Sequence, residues 1–237
     1  MADLNAMLGR KEAGLALANE AVEITRVSWP NSDMLATSLA TLATCEVLNG
    51  LETASVGTLA EACQMVERAG TQRAGEYVLE AAVVVLARRK PALAARATGC
   101  LDAFDRRGER PRVQSPVTRD ALAALERALG SRRFVVEREA GRATAVTDLL
   151  EEVRSTADAT RRREDGLRVE FGSLTSREVD VLGLLARGQS DAEIGAELGM
   201  SAKTASVHVA NIKGKLGART RIEAAMRAQA LLAAPPP

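Results

Sequence analysis

From Leu198 to Ile222 the 237-residue chain carries Lys203, Lys213, Lys215, Arg219 and Arg221 and not one Asp or Glu. A stretch of cations cleared of carboxylates suits an anionic partner, and the phosphates of duplex DNA are the extended form of one. Lysine is rare in the chain, five in all, yet three stand here, so the formal net charge of +1 hides a local asymmetry. Ser201 is followed three residues on by Thr204 instead of Glu. The backbone N–H groups and positive dipole end of a helix starting there are thus left open to a phosphate. Other chemistry is thin. The single histidine, His208, lies in the same stretch, and Cys45, Cys63 and Cys100 are dispersed through apolar helical segments as buried thiols. LGMSAKTAS lacks the glycine spacing of a phosphate loop. Catalytic residues, a metal site and a cofactor are therefore not expected, and the chain is not read as an enzyme.

Four helices are needed to position that basic stretch. Thr175 with Glu178, Ser190 with Glu193 and Thr220 with Glu223 each pair a hydroxyl with a Glu three residues later, the capping-box signature. Gly188, Gly199 and Gly217 close the first three helices. Val179, Leu182 and Leu185 share one face of the first helix, and Ile194 and Leu198 one face of the second. Ala205, Val209, Ile212 and Leu216 form the inner stripe of the third. The opposite face of that third helix holds Lys203, Ser206, Val207, Ala210 and Lys213. A short helix, a turn at Gly199–Ser201 and a longer basic helix is the arrangement in which the last enters a major groove, making 202–216 the recognition helix.

The segments LTSRE, SDAEIGAELG, SAKTASVHVANIKGKLG and RTRIEAA resemble the DNA-binding domain of the LuxR-type (FixJ/NarL) regulators. That resemblance implies a DNA-facing set of Ser190, Lys203, Thr204, Ser206, Val207, His208, Ala210, Asn211 and Lys215. Within it, Thr204, His208 and Lys215 would lie near the backbone, and Ser206, Val207 and Ala210 would face base edges. It also implies pairing of two copies through the fourth helix, by Ile222, Ala225, Met226 and Gln229. The family often has lysine or arginine at the positions of Ser206 and Ala210, which leaves readout here to hydroxyl and apolar contacts. It often has alanine where Gly195 stands and a larger residue at Gly214, and each glycine costs its helix up to about 1 kcal/mol.

Upstream, apolar residues recur three and four apart with breaks near Pro30, Gly50, Gly70, Pro91 and Gly108, so the chain is all-α. A shift of 41 places Gly9 on Gly50, Ala13 on Ala54 and Ala95, and Ala21 on Ala62 and Ala103. Recurring small residues suit a helical-hairpin, tetratricopeptide-like array. Its hairpins are predicted at 33–47 with 53–68 and at 72–88 with 92–106, preceded by a lone helix at 11–25. Two further helices span 118–154. The expected division is a repeat domain 1–154, a linker 155–173 containing the solvated run Arg161–Arg163, the helix-turn-helix domain 174–232, and a tail 233–237. The segment 119–153 is similar to the part of large MalT-like LuxR regulators that precedes their linker.

No apolar run approaches the ~18 residues needed to cross a bilayer, so a cytoplasmic protein without membrane contact is expected. The reading is a DNA-binding transcriptional regulator, an activator by expectation. It acts as a homodimer on double-stranded DNA, with RNA polymerase as a further partner and an unidentified protein or small-molecule inducer at the repeat domain. The alternative is an interaction scaffold with a vestigial DNA-binding module. A sigma-factor-like role fits less well, because aromatics make up only 2% of residues.

Overall fold

The computed structural model describes residues 10–69, 72–105, 115–171 and 174–233. Among these residues there are twelve helices and no strand. They are α1 Lys11–Ser28, α2 Asp33–Leu48, α3 Glu52–Ala69, α4 Gln72–Leu86, α5 Pro91–Asp105, α6 Pro116–Leu129, α7 Ser131–Arg142, α8 Val146–Phe171, α9 Ser176–Ala186, α10 Asp191–Leu198, α11 Ala202–Leu216 and α12 Arg221–Ala233. The chain divides into two compact units, one of Met1–Asn49 with Ala54–Asp158, the other of Gly50–Thr53 with Ala159–Pro237.

The first unit is the helical-hairpin array. α1 packs on α2, α2 reaches past α3 to α4, and α4 pairs with α5, the pattern of stacked hairpins. Its core is rich in alanine: Ala18, Ala36, Ala43, Ala62, Ala82, Ala94 and Ala97 are all fully buried, with Leu39, Leu59, Leu79 and Leu86 between them. The repeat alanines are not packed alike, however. Ala13 and Ala54 are exposed whereas Ala95 is buried, because α5 meets a further helix, α7, that has no counterpart in the earlier hairpins. Gly9 and Arg106 lie outside the described residues.

α5 and α7 cross with their backbones in contact. A Cβ on Gly99 would fall far inside contact distance of the Arg138 carbonyl oxygen, and one on Gly141 equally close to the Arg96 carbonyl. Each helix thus presents a glycine to the other's main chain. Charge secures the crossing: the Arg138 guanidinium donates to both Asp102 oxygens, at 2.5 and 2.9 Å, and Arg142 adds a bond of 3.1 Å. Planar, bidentate pairing of this kind fixes orientation as well as proximity.

Residues 155–171, expected as a linker, continue α8 as regular helix. Few bulky apolar residues occur in STADATRRREDGLRVEF, but it has no proline and only one glycine, so nothing in it stops a helix already begun at Val146. Arg161 and Arg162 are exposed on it, while the Arg163 side chain and residues 172 and 173 lie outside the described set, as does the tail from Ala234 on.

One carboxyl in the array is out of place. Glu46 of α2 is buried, its Oε2 has no hydrogen-bond partner, and burial raises its pKa from 4.5 to about 7, a bond from Thr58 offsetting part of the rise. A raised carboxyl pKa favours the protonated fold, so Glu46 lowers stability increasingly between pH 4.5 and 7 and by a constant amount above. Glu46→Gln is expected to stabilise the protein at pH 8 by about 1–3 kcal/mol and to leave stability at pH 4 nearly unchanged. Urea melts at the two pH values measure it, and equal effects at both would contradict it.

Candidate nucleic-acid interface

Local capping builds the second unit's helices. Thr175 and Ser190 cap α9 and α10 with complete boxes, each hydroxyl accepting from the backbone N–H of Glu178 or Glu193 while the carboxylate returns to the cap residue. The third predicted box forms in altered register: the Thr220 hydroxyl accepts from Glu223 N–H at 3.1 Å, but the Glu223 carboxylate takes Arg219 N–H at 2.8 Å. Gly199 ends α10 at φ 66°, a left-handed conformation that lets the chain turn directly into α11. Gly195 is buried beneath that turn. A Cβ there would come 2.8 Å from the Met200 carbonyl oxygen, so the missing side chain lets the turn sit closer than alanine permits.

α11 begins as its sequence indicates. Ser201 Oγ accepts from Thr204 N–H at 3.0 Å and pairs with Thr204 Oγ1 at 2.8 Å, with no acidic residue in the first turn. Ala205, Val209, Ile212 and Leu216 are buried against Val179, Leu182, Leu185, Ile194 and Leu198. Ser190, Lys203, Thr204, Ser206, Val207, Ala210 and Asn211 are exposed, Val207 by 54%, and His208 is half-buried. A full side of α11 therefore stands free of its own domain, with a cation at Lys203, a hydroxyl at Ser206, an amide at Asn211 and small apolar surface between them. Ser190 is exposed too, but its hydroxyl is engaged with Glu193 in the cap.

The cations separate into two groups. Lys203, Lys213 and Arg219 have no ion-pair or side-chain hydrogen-bond partner among the described residues. Lys215, by contrast, holds the buried Glu178 carboxylate at 2.7 Å and so joins α11 to the start of α9. Arg221 pairs with Asp191 and donates to the Gln189 carbonyl at 2.5 Å, fastening α12 to the start of α10. Lys215, which the resemblance places near the DNA backbone, has its ammonium engaged within the fold by the capping carboxylate of α9. Lys213 and Arg219 stand outside the DNA-facing set that the resemblance implies, although the carboxylate-free stretch that holds Lys203 contains both.

On α12 the four residues expected at a twofold interface divide similarly. Ile222 and Met226 are 70% and 63% exposed and form an apolar pair. Ala225 packs on the domain's own core, and Gln229 donates to the Ala186 carbonyl at 2.5 Å. With Arg227, which caps the last turn of α11 at the Leu216 carbonyl, Gln229 is an anchor of the helix.

Three short helices about a common core, the third presenting an acid-free outer face after a tight glycine turn, with a fourth helix behind, define a helix-turn-helix DNA-binding domain. Residues 172–228 match the family described as bacterial regulatory proteins, luxR family. Residues 172–228 thus form a LuxR-family helix-turn-helix DNA-binding domain. Similar proteins include the transcriptional regulatory protein MctR of Rhizobium johnstonii, 51% identical over 57 residues, 23% of this chain and 27% of that protein. UhpA of Escherichia coli, also a transcriptional regulatory protein, is 35% identical over 115 residues, 46% of this chain and 56% of its own. The HTH-type transcriptional regulator MalT of Serratia proteamaculans is 46% identical over 64 residues, 27% of this chain and 7% of its own. The chain thus spans about a quarter of the length of MctR and less than a tenth of MalT. No solved structure matches.

Proposed function

We propose that the protein is a sequence-specific transcriptional regulator in which residues 174–232 bind duplex DNA through α11 and residues 1–154 receive a partner or inducer. The observation that carries this reading is the free side of α11, where Lys203, Ser206, Val207, Ala210 and Asn211 are exposed together and no carboxylate interrupts them. Lys203, Lys213 and Arg219 take phosphates at separate points, and Ser206, Val207 and Ala210 meet base edges, where Val207 and Ala210 suit a thymine methyl. His208 and Thr204 stand at the rim of this surface. Lys215 acts through the fold more than through the phosphates, and Ser190 through the cap of α10. Ile222 and Met226 pair with a second copy, which sets two recognition helices one DNA turn apart. The sign of regulation is activation, with RNA polymerase as the downstream partner.

Selection of bound duplexes from a random pool, followed by anisotropy titrations, tests it. The selected sites are expected to be palindromic, and log affinity to fall with log salt by about 0.9 per phosphate neutralised. Lys203→Ala is expected to lower that slope by about one unit and weaken all sequences alike, while Val207→Ser shifts the preferred sequence. A chain that retains no duplex at low salt, or binds independently of salt, would overturn the reading.

A further inference from the structure

An open groove of about 450 Å³ runs between α1, α2 and α4 within the first unit, a volume in the range of small-molecule sites. Leu17, Met34 and Tyr77 supply its apolar surface and Thr41 a hydroxyl, and Met34 and Tyr77 remain about half exposed, at 53% and 46%. Two large side chains are thus left partly wet inside a concavity instead of buried in the core. The same groove is lined by two ions, Asp33 in the first turn of α2 and Arg73 in the first turn of α4. Neither pairs with the other or with any described side chain, and one oxygen of the Asp33 carboxylate is buried without a hydrogen bond. Other arginines of the array are placed differently: Arg26, Arg96, Arg138, Arg142 and Arg154 all engage carboxylates. Two opposite charges that line one groove without meeting leave each to be answered by an occupant carrying both signs.

We infer that this groove is a binding site for a small amphipathic zwitterion of the α-amino-acid type, its ammonium towards Asp33, its carboxylate towards Arg73, and its apolar side chain along Met34, Tyr77 and Leu17. The guanidinium takes a carboxylate bidentately, and a carboxylate at the opening of a helix holds an ammonium as a charge-assisted partner. The inference rests on the reading of the array as the receiving half of the protein, and it is tested by binding alone, so its failure is separate from any failure of DNA recognition.

The full chain is titrated calorimetrically with L-leucine, L-phenylalanine and L-2-aminooctanoic acid, and with the N-acetyl and the methyl-ester form of the best of them. Trp29, the chain's one tryptophan, 49% exposed and four residues before Asp33, gives a fluorescence readout for the non-absorbing probes. At least one free amino acid is expected to bind, and both masked forms to bind about tenfold or more weakly. Asp33→Asn is expected to lose discrimination against the N-acetyl form, and Arg73→Gln against the ester, with helicity by circular dichroism unchanged in both. Absence of binding by all three free amino acids overturns the proposal. So does binding that ignores masking or survives both substitutions, because apolar contact alone would then account for it.

Discussion

Gly99→Ala is expected to destabilise the amino-terminal array by at least about 3 kcal/mol, seen as a fall in the urea midpoint. The added methyl meets the Arg138 carbonyl, a main-chain atom of a packed helix, and not the end of a side chain that could swing away. Accommodating it means separating α5 from α7, which loosens the Asp102 pairing with Arg138 and Arg142 and exposes apolar surface around Ala95 and Leu101. Overpacking of this kind commonly costs about 1–3 kcal/mol and more where the backbone must move. Gly141→Ala acts on the other side of the same crossing. The double variant is therefore expected to cost clearly less than the sum of the two, since the helices need part only once. Gly214→Ala in α11, where a Cβ would meet nothing, is expected to have the opposite sign and stabilise by up to about 1 kcal/mol. Equal effects at Gly99 and Gly214 would show that the helix crossing is not as close as described.

Glu178→Ala is expected to destabilise the DNA-binding domain by about 3 kcal/mol. Its side chain, 5% exposed, accepts from Thr175 N–H at 2.7 Å, Thr175 Oγ1 at 2.9 Å and Lys215 Nζ at 2.7 Å. One substitution therefore removes the returning half of a capping box, leaving Thr175 N–H without its acceptor, and the partner of a half-buried ammonium. Burial alone would raise the Glu178 pKa, but the bonds from Lys215 and Thr175 outweigh it and hold the carboxyl below its ordinary value. Its contribution is complete at neutral pH and is lost as acid protonates the folded carboxylate, so the stability gap between parent and Glu178→Ala narrows at low pH. Lys215→Ala leaves the same carboxylate buried without its cation. It is expected to lower the domain's melting temperature, whereas Lys203→Ala, on an exposed lysine, lowers DNA affinity and leaves melting unchanged. If Lys215→Ala melted like the parent and lost only affinity, the ammonium would belong to the DNA surface instead.

The contrast between those two lysines marks what could and could not be read from the chain. Both fall in the acid-free stretch, and periodicity places both away from the buried stripe of α11. What separates them is Glu178, thirty-seven residues before Lys215, whose capping role was legible while the reach of the Lys215 ammonium to the same capping oxygen was not. Arg221 and Gln229 illustrate the same limit, since a side chain on the outer half of a helix can reach a neighbouring helix end or solvent equally well. The helical conformation of 155–171, within the expected linker 155–173, was not legible for another reason: low apolarity argues against burial but not against helix once a preceding turn has nucleated it.

Short-range rules decided the helix boundaries, the caps at Thr175, Ser190 and Ser201, the turn at Gly199 and the core stripe of α11, because each depends on residues within about one turn of one another. The hairpin spacing of the array follows for the same reason, from its breaks at Pro30, Gly50 and Pro91. Only the tertiary structure decided which cations are free, which alanines are buried, and why Gly99 and Gly141 are glycines. These depend on what a second helix brings to the first, and spacing along one helix carries no information about its neighbour's atoms.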